Sequence, residues 1–167
     1  KLIRSYQGIT GLKTGTTGQA GSCITATAER EGLSLIAVVL GADSTDHRFQ
    51  DAAALLDYGF AGWKATVPES PALEPVPVAR GMAPTVEAQV GESPSLLLEA
   101  AETGSVETEV LLEELTAPIK AGDVIGTVRY SLGGEVLAEV DITAAGDVEA
   151  VTFASALGYL FRGLFAL

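Results

Sequence analysis

The chain has 167 residues, 47% of them hydrophobic and 19% charged, a composition that can bury the core of one ordinary domain or of two small ones. Its net charge of −12 is unevenly placed: residues 1–66 carry six basic and six acidic side chains, residues 67–150 carry three and sixteen, and residues 151–167 contain only Arg162. The acidic middle lacks the Lys and Arg stripes that phosphates require, which excludes nucleic acid, and the single Cys23 excludes an internal disulfide and reads as a small buried residue.

Taken in chain order, Ile9–Gly18 is rich in Thr and punctuated by Gly, Ser22–Arg30 is a β-prone run after Ala20-Gly21, and Leu33–Leu40 is nearly continuous apolar sequence after Glu31-Gly32. These predict three consecutive strands joined by tight turns. From Ser44 the apolar period becomes helical, with Phe49, Ala52, Ala53, Leu56 and Phe60 at three-and-four spacing behind an Asp43/Ser44 cap, so a helix is expected to about Gly62. No leader-like segment opens the chain, whose first residues read as the interior of a domain.

Pro68, Pro71, Pro75 and Pro77 fall within residues 64–78 and mark an extended linker. Beyond it, short β-like runs occur at Val86–Val90, Ser95–Ala100 and Val106–Leu115, and then Val124–Leu132 and Glu135–Thr143 flank Gly133-Gly134, a hairpin signal. The pattern predicts a small antiparallel sandwich or barrel. Projected at 100° per residue, Phe153, Leu157, Leu160, Phe161, Leu164 and Phe165 share one arc with Leu167, whereas Ser155, Tyr159 and Arg162 lie opposite. Residues 151–167 are therefore expected to form an amphipathic helix, about 25 Å long at ~1.5 Å per residue, too short to cross a membrane and suited to lying on one. The expected organisation is 1–63, 64–78, 79–150 and 151–167.

One tripeptide carries chemistry. Lys13-Thr14-Gly15, within Ile9-Thr-Gly-Leu-Lys-Thr-Gly-Thr-Thr-Gly18, offers fixed positive charge, a hydroxyl donor and a residue without a side chain, so that a peptide ending in a carboxylate can pair with the strand. K-T-G is one of three motifs of penicillin-recognising serine active sites. The others are missing: no Ser is followed three residues later by Lys, and the chain contains no Asn. His47, alone in the first turn of a helix, reads as solvent-facing. Asp43, Asp46, Asp51 and Asp57 have no metal-loop spacing, so no metal or other cofactor is expected. Lys120-Ala-Gly-Asp-Val-Ile-Gly126 is similar to turns in biotinyl and lipoyl carrier domains but lacks the carrier lysine turn.

The stretch Thr10–Gly21, the strands after it and the helix ending Leu55-Leu-Asp-Tyr-Gly-Phe60 resemble the low-molecular-mass penicillin-binding D-alanyl-D-alanine carboxypeptidases. Pro77-Val-Ala-Arg-Gly81 and Ala117–Gly126 resemble that family's C-terminal all-β domain, and residues 151–167 its membrane anchor. The resemblance implies an α+β fold: antiparallel strands plus a helix from the end of a penicillin-binding transpeptidase-like domain, a small all-β sandwich, and an amphipathic helix. It also implies that Lys13, Thr14, Gly15 and the backbone amide of Thr16 bind and polarise the D-Ala-D-Ala end of a peptidoglycan stem peptide, Lys13 sitting in the catalytic site and the Thr16 amide in the oxyanion hole.

On this resemblance the nucleophile lies in an N-terminal half of the same domain that this chain lacks, the parent enzyme binds β-lactams, and this chain alone is inactive. The expected setting is extracytoplasmic, peripheral on the outer face of the cytoplasmic membrane. Thr10 stands where many members of the family carry an acidic residue. The competing expectations are a non-catalytic envelope interaction or spacer module, and a fragment related to a β-lactamase.

Overall fold

The computed structural model describes residues 2–153 together with Ser155 and Leu157. The chain divides into two compact units, one holding the residues up to Val67 and Ser95–Gly104, the other Pro68–Pro94 and the residues from Ser105 on. The elements in chain order are α1 (Leu2–Ser5), β1 (Ile9–Thr17), β2 (Gly21–Arg30), β3 (Leu33–Ala42), α2 (Thr45–Gly62), β4 (Trp63–Thr66), β5 (Val76–Ala79), β6 (Thr85–Val86), β7 (Ala88–Val90), β8 (Leu96–Glu99), β9 (Glu107–Leu112), β10 (Leu115–Thr116), β11 (Val124–Leu132) and β12 (Glu135–Ala144).

In the first unit β1, β2 and β3 form an antiparallel sheet in that order, as the sequence predicts. Strand β2 alternates strictly, burying Ser22, Ile24, Ala26 and Ala28. The small side chains of this row suit close packing of α2, which buries Arg48, Ala52 and Leu56 at intervals of four. Contact between helix and sheet is tight enough that a Cβ on Gly59 would come within 2.5 Å of Leu35 Cδ1. The helix starts where expected: the Ser44 hydroxyl accepts the His47 N–H at 3.0 Å, and Asp46 places negative charge in the first turn.

Strand β4 continues directly from α2 and pairs antiparallel with β8, Trp63 opposite Glu99 and Thr66 opposite Leu96, while Leu96 and Leu98 are buried. A strand from the middle of the acidic region thus belongs to the first unit. Within residues 64–78, 64–66 lie in β4, 76–78 lie in β5, and 67–75 have no regular structure.

The second unit contains a three-stranded sheet in the order β10-β5-β6 and a four-stranded antiparallel sheet in the order β7-β12-β11-β9. Hairpin β11–β12 turns through Gly133 and Gly134, both at positive φ, the conformation that a two-residue hairpin loop requires and glycine supplies. The run expected at Val86–Val90 is divided: β6 pairs with β5 and β7 with β12. Val76, Val78, Val86, Leu115, Ile125, Val128, Tyr130 and Ile142 are buried, and Tyr130 is fully enclosed at 0% exposure. On the solvent side Arg129 lies between Glu109 and Glu139 of the flanking strands, donating from Nε to Glu139 at 2.8 Å. Its pKa is raised, chiefly by that hydrogen bond.

At the other end of this unit, Thr152 and Ser155 exchange hydrogen bonds, each side chain accepting the other's backbone N–H, which is the reciprocal pattern of a helix start. Phe153, Ser155 and Leu157 are helical, and Phe153 is 84% exposed. Leu160, Phe161, Leu164 and Phe165, expected on the same apolar arc, lie outside the described residues. Among the described residues no helix is long and apolar enough to cross a membrane.

Candidate active-site strand

Strand β1 is an edge strand among the described residues. One side pairs with β2, with Lys13 opposite Thr25, Thr14 opposite Ile24, Gly15 opposite Cys23 and Thr16 opposite Ser22. Lys13, Thr14, Gly15 and Thr16 are all exposed, so the four residues expected to bind substrate sit together on one open edge. Such an edge presents unpaired backbone groups to a peptide that adds as a further strand.

The space around Gly15 bears on why no side chain is there. A Cβ at this position would meet nothing within 4 Å, and its φ is not in the left-handed region. Among the described residues neither packing nor turn geometry demands glycine. What a side chain would obstruct is an approach from outside.

Behind the strand lies a residue that the sequence reading passed over. Arg48, on α2 and 8% exposed, donates from Nη1 to the Thr16 hydroxyl at 2.9 Å and to the Gly15 carbonyl at 3.1 Å, with the Cys23 carbonyl at 3.4 Å. Its guanidinium lies 5.0 Å from the centroid of the Phe49 ring, and its buried Nε has no partner among the described residues. One buried cation thereby fixes Gly15 and Thr16 from the interior, and charge-assisted bonds of this kind are the stronger ones. The available signal was a charged residue at position 48 on the same four-residue stripe as Ala52 and Leu56. Its neighbour His47 is exposed.

Cys23 is half-buried and donates to the Ala20 carbonyl at 3.3 Å. At the start of β1, Thr10 donates to the Thr27 hydroxyl at 2.7 Å, and Thr27 donates on to the Gly11 carbonyl. A hydroxyl relay therefore braces the entry to the strand at the position where an acidic residue is common in the resembling family. Chemically, the site offers a cation, two hydroxyls and an open strand edge. Such groups are of the kind that can bind and orient a peptide with a terminal carboxylate.

Comparison with known proteins bears on the family and the fold. A family model described as the penicillin-binding protein 5 C-terminal domain matches residues 66–150, and one described as D-alanyl-D-alanine carboxypeptidase matches residues 1–44. The chain is 32% identical over 157 residues to the D-alanyl-D-alanine carboxypeptidase DacF of Bacillus subtilis, covering 92% of this chain and 40% of that protein. It is 32% identical over 152 residues to DacC of Escherichia coli, covering 89% and 38%. Among solved structures, penicillin binding protein 5 from Haemophilus influenzae superposes with a TM-score of 0.62 at 27% identity, covering 89% of this chain and 44% of that one. The chain thus spans about 40% of the length of the curated relatives it matches.

Proposed function

The chain belongs to the family of the penicillin-binding protein 5 C-terminal domain, and from that premise we propose that it supplies the substrate-binding strand and C-terminal domain of a serine-type D-Ala-D-Ala carboxypeptidase. The enzyme trims peptidoglycan stem peptides on the outer side of the cytoplasmic membrane, by an acyl-enzyme route that β-lactams intercept. The observation that carries this reading is the open β1 edge, where Lys13, Thr14, Gly15 and Thr16 are exposed in sequence and Gly15 leaves vacant the space a side chain would fill.

In this role Lys13 holds the terminal carboxylate of the peptide, Gly15 admits its backbone, and the Thr16 N–H donates to the oxyanion that forms on acylation. A single donor of this kind contributes about 3 kcal/mol to the transition state. The serine that attacks, and the lysine that activates it, come from an S-x-x-K motif elsewhere in the protein. The second unit acts as spacer or docking module. Phe153 and Leu157, with Leu160, Phe161, Leu164 and Phe165, rest on the membrane surface.

The test is acylation of the complete reading frame by a fluorescent penicillin. The label should map to a serine outside these 167 residues, and Lys13→Ala should slow labelling about 100-fold, the scale of losing one transition-state contact. Label on a serine within this chain, or unchanged labelling after Lys13→Ala, would contradict the proposal. No labelling at all would favour a non-catalytic envelope module. For the membrane contact, liposome co-sedimentation should fall on removal of residues 151–167, and equal binding of both forms would remove the anchor.

A further inference from the structure

The first unit holds a cavity of about 560 Å³ at the end of the β1–β2 hairpin remote from Lys13-Thr14-Gly15, lined among others by Gln7, Glu29, Arg30, Glu31, Phe60, Trp63 and Lys64. Its size lies in the range of sites for small organic ligands. From its lining we infer that this cavity is a saccharide site, taking a neutral, acetamido-bearing oligosaccharide such as the glycan that carries the stem peptide. In that last respect it rests on the function proposed above.

Three observations carry the inference. The first is that the lining holds two aromatic side chains, Phe60 and Trp63, with Arg30 over the Phe60 ring, and that neighbours outside the cavity, Tyr6 and Tyr58, fix this arrangement. Arg30 is clamped between two rings, 4.6 Å from the Tyr6 centroid and 4.5 Å from that of Phe60, while its Nε donates to the Gln7 carbonyl at 3.2 Å and it lies 3.8 Å from Asp57. Asp57 also accepts the Tyr6 hydroxyl at 2.6 Å. The Trp63 backbone N–H donates to the Gly59 carbonyl at the end of α2, and its ring makes a T-shaped contact with Tyr58 at 5.7 Å. Rigid aromatic surface is what the C–H faces of a pyranose pack against, at little entropic cost.

The second is the polar rim. With Arg30 committed to the wall, the side chains of Gln7, Glu31 and Lys64 have no hydrogen-bond or ion-pair partner among the described residues. An amide, a carboxylate and an ammonium together supply donors and acceptors. The two acidic and two basic side chains lining the cavity balance, so it selects neither a cation nor an anion. The matching ligand is neutral and rich in hydroxyl and amide groups.

The third is a departure from turn chemistry. Glu31 has φ 49 and Gly32 φ 79, in a two-residue turn between paired Arg30 and Leu33. Asn, Asp or Gly is favoured at the first of these positions. A glutamate held in the left-handed region against its backbone preference, with its carboxylate on a cavity rim, marks strain retained at a functional position. From Gly8 to Gly15 along β1 is about 23 Å at ~3.3 Å per residue, so roughly six or seven extended residues bridge the cavity and the K-T-G segment. A glycan held here places its peptide branch along that path.

Trp63 is the chain's single tryptophan, so its fluorescence reads the cavity directly. Titration of the full chain with the β-1,4-linked trimer of N-acetylglucosamine should give a saturable change. Glu31→Asn, which suits the turn better, should keep or raise the melting temperature while weakening binding about tenfold, the cost of one charged hydrogen bond. Trp63→Leu should abolish binding measured by calorimetry, and Lys13→Ala should leave it unchanged. No saturable change, or a trimer affinity that Glu31→Asn leaves intact, would overturn the inference, as would saturation by a free stem peptide in place of the trimer. Because penicillin labelling reports only on the K-T-G site, saccharide binding without labelling, or labelling without saccharide binding, shows which of the two assignments has failed.

Discussion

The two units differ in degree in how they handle their apolar surface, since the second also exposes Val110, Leu111, Leu112, Val124 and Val136, though none of these beyond 52%. In the second, the four-stranded sheet directs Val128, Tyr130 and Ile142 inward and leaves none of them accessible. In the first, β3 buries Leu33 and Ala37 on one face but exposes Ile36, Val38 and Leu40 on the other, Leu40 to 77%. A monomeric domain seldom leaves such a row uncovered. One unit encloses its central strands, whereas the other leaves open an edge at β1 and an apolar face at β3.

That contrast can be broken at its closed end. Ile142→Ala, at a fully enclosed position, should cost about 2 to 5 kcal/mol through lost burial and the cavity left behind, seen as a shift in the denaturant midpoint of far-UV circular dichroism. A smaller loss than this would mean that the second unit is less tightly packed than its buried side chains imply. Arg48→Ala comes next, at about 2 to 3 kcal/mol, because the Gly15 carbonyl and Thr16 hydroxyl lose a buried charged donor. Amide exchange should speed up along β1 and stay slow in β11. Ser44→Ala, which removes the cap of α2, should cost about 1 kcal/mol, again within the first unit only.

A pH measurement sharpens the same comparison. Tyr6 titrates at about 12 in the folded chain, raised from 10.0 by burial first and then by its hydrogen bond to Asp57. The folded state therefore holds this proton more tightly than the unfolded chain does. Its contribution is complete below pH 10 and is lost as pH rises towards 12, on the order of 1 kcal/mol after solvent screening. Tyr6→Phe should remove that alkaline dependence from the melting of the first unit. The smallest expected effect on stability is that of replacing Ile36, Val38 and Leu40 by Ser, within about 0.5 kcal/mol. Sedimentation should nevertheless show less self-association, since among the described residues those side chains are exposed and contribute to no core.

Much of this division is legible in the sequence because it is written locally. The Ser44 cap, the apolar stripe of α2, the Gly133-Gly134 turn and the alternation of β2 each depend on residues a few positions apart. The K-T-G segment was likewise readable as a strand, and its exposure followed from Thr and Gly in place of apolar residues. What escaped depends on distance along the chain. Arg48 reaches Gly15 across 33 residues, and β4 pairs with β8 across the second unit's first strands. Strand β5 was hidden by its prolines: Val76 and Val78 are buried, but Pro77 sits where β6 alone pairs with β5, β10 meeting it only at Val78 and Ala79. The division of residues 85–90 between two sheets turns on Glu87, whose carbonyl accepts the Ala145 N–H, a contact no local pattern encodes.

The placement of Ser95–Gly104 in the first unit has a consequence for how such proteins can be assembled or taken apart. The chain passes from one unit to the other three times, after Val67, after Pro94 and after Gly104. A protease that cuts at the first crossing leaves two fragments with no covalent link between them, 1–67 and 68–167, which the β4–β8 ladder still pairs. Recombination at the same junction fares no better, because a foreign second module would arrive without the strand that β4 requires. The two units are therefore interleaved along the chain, although each has a core of its own.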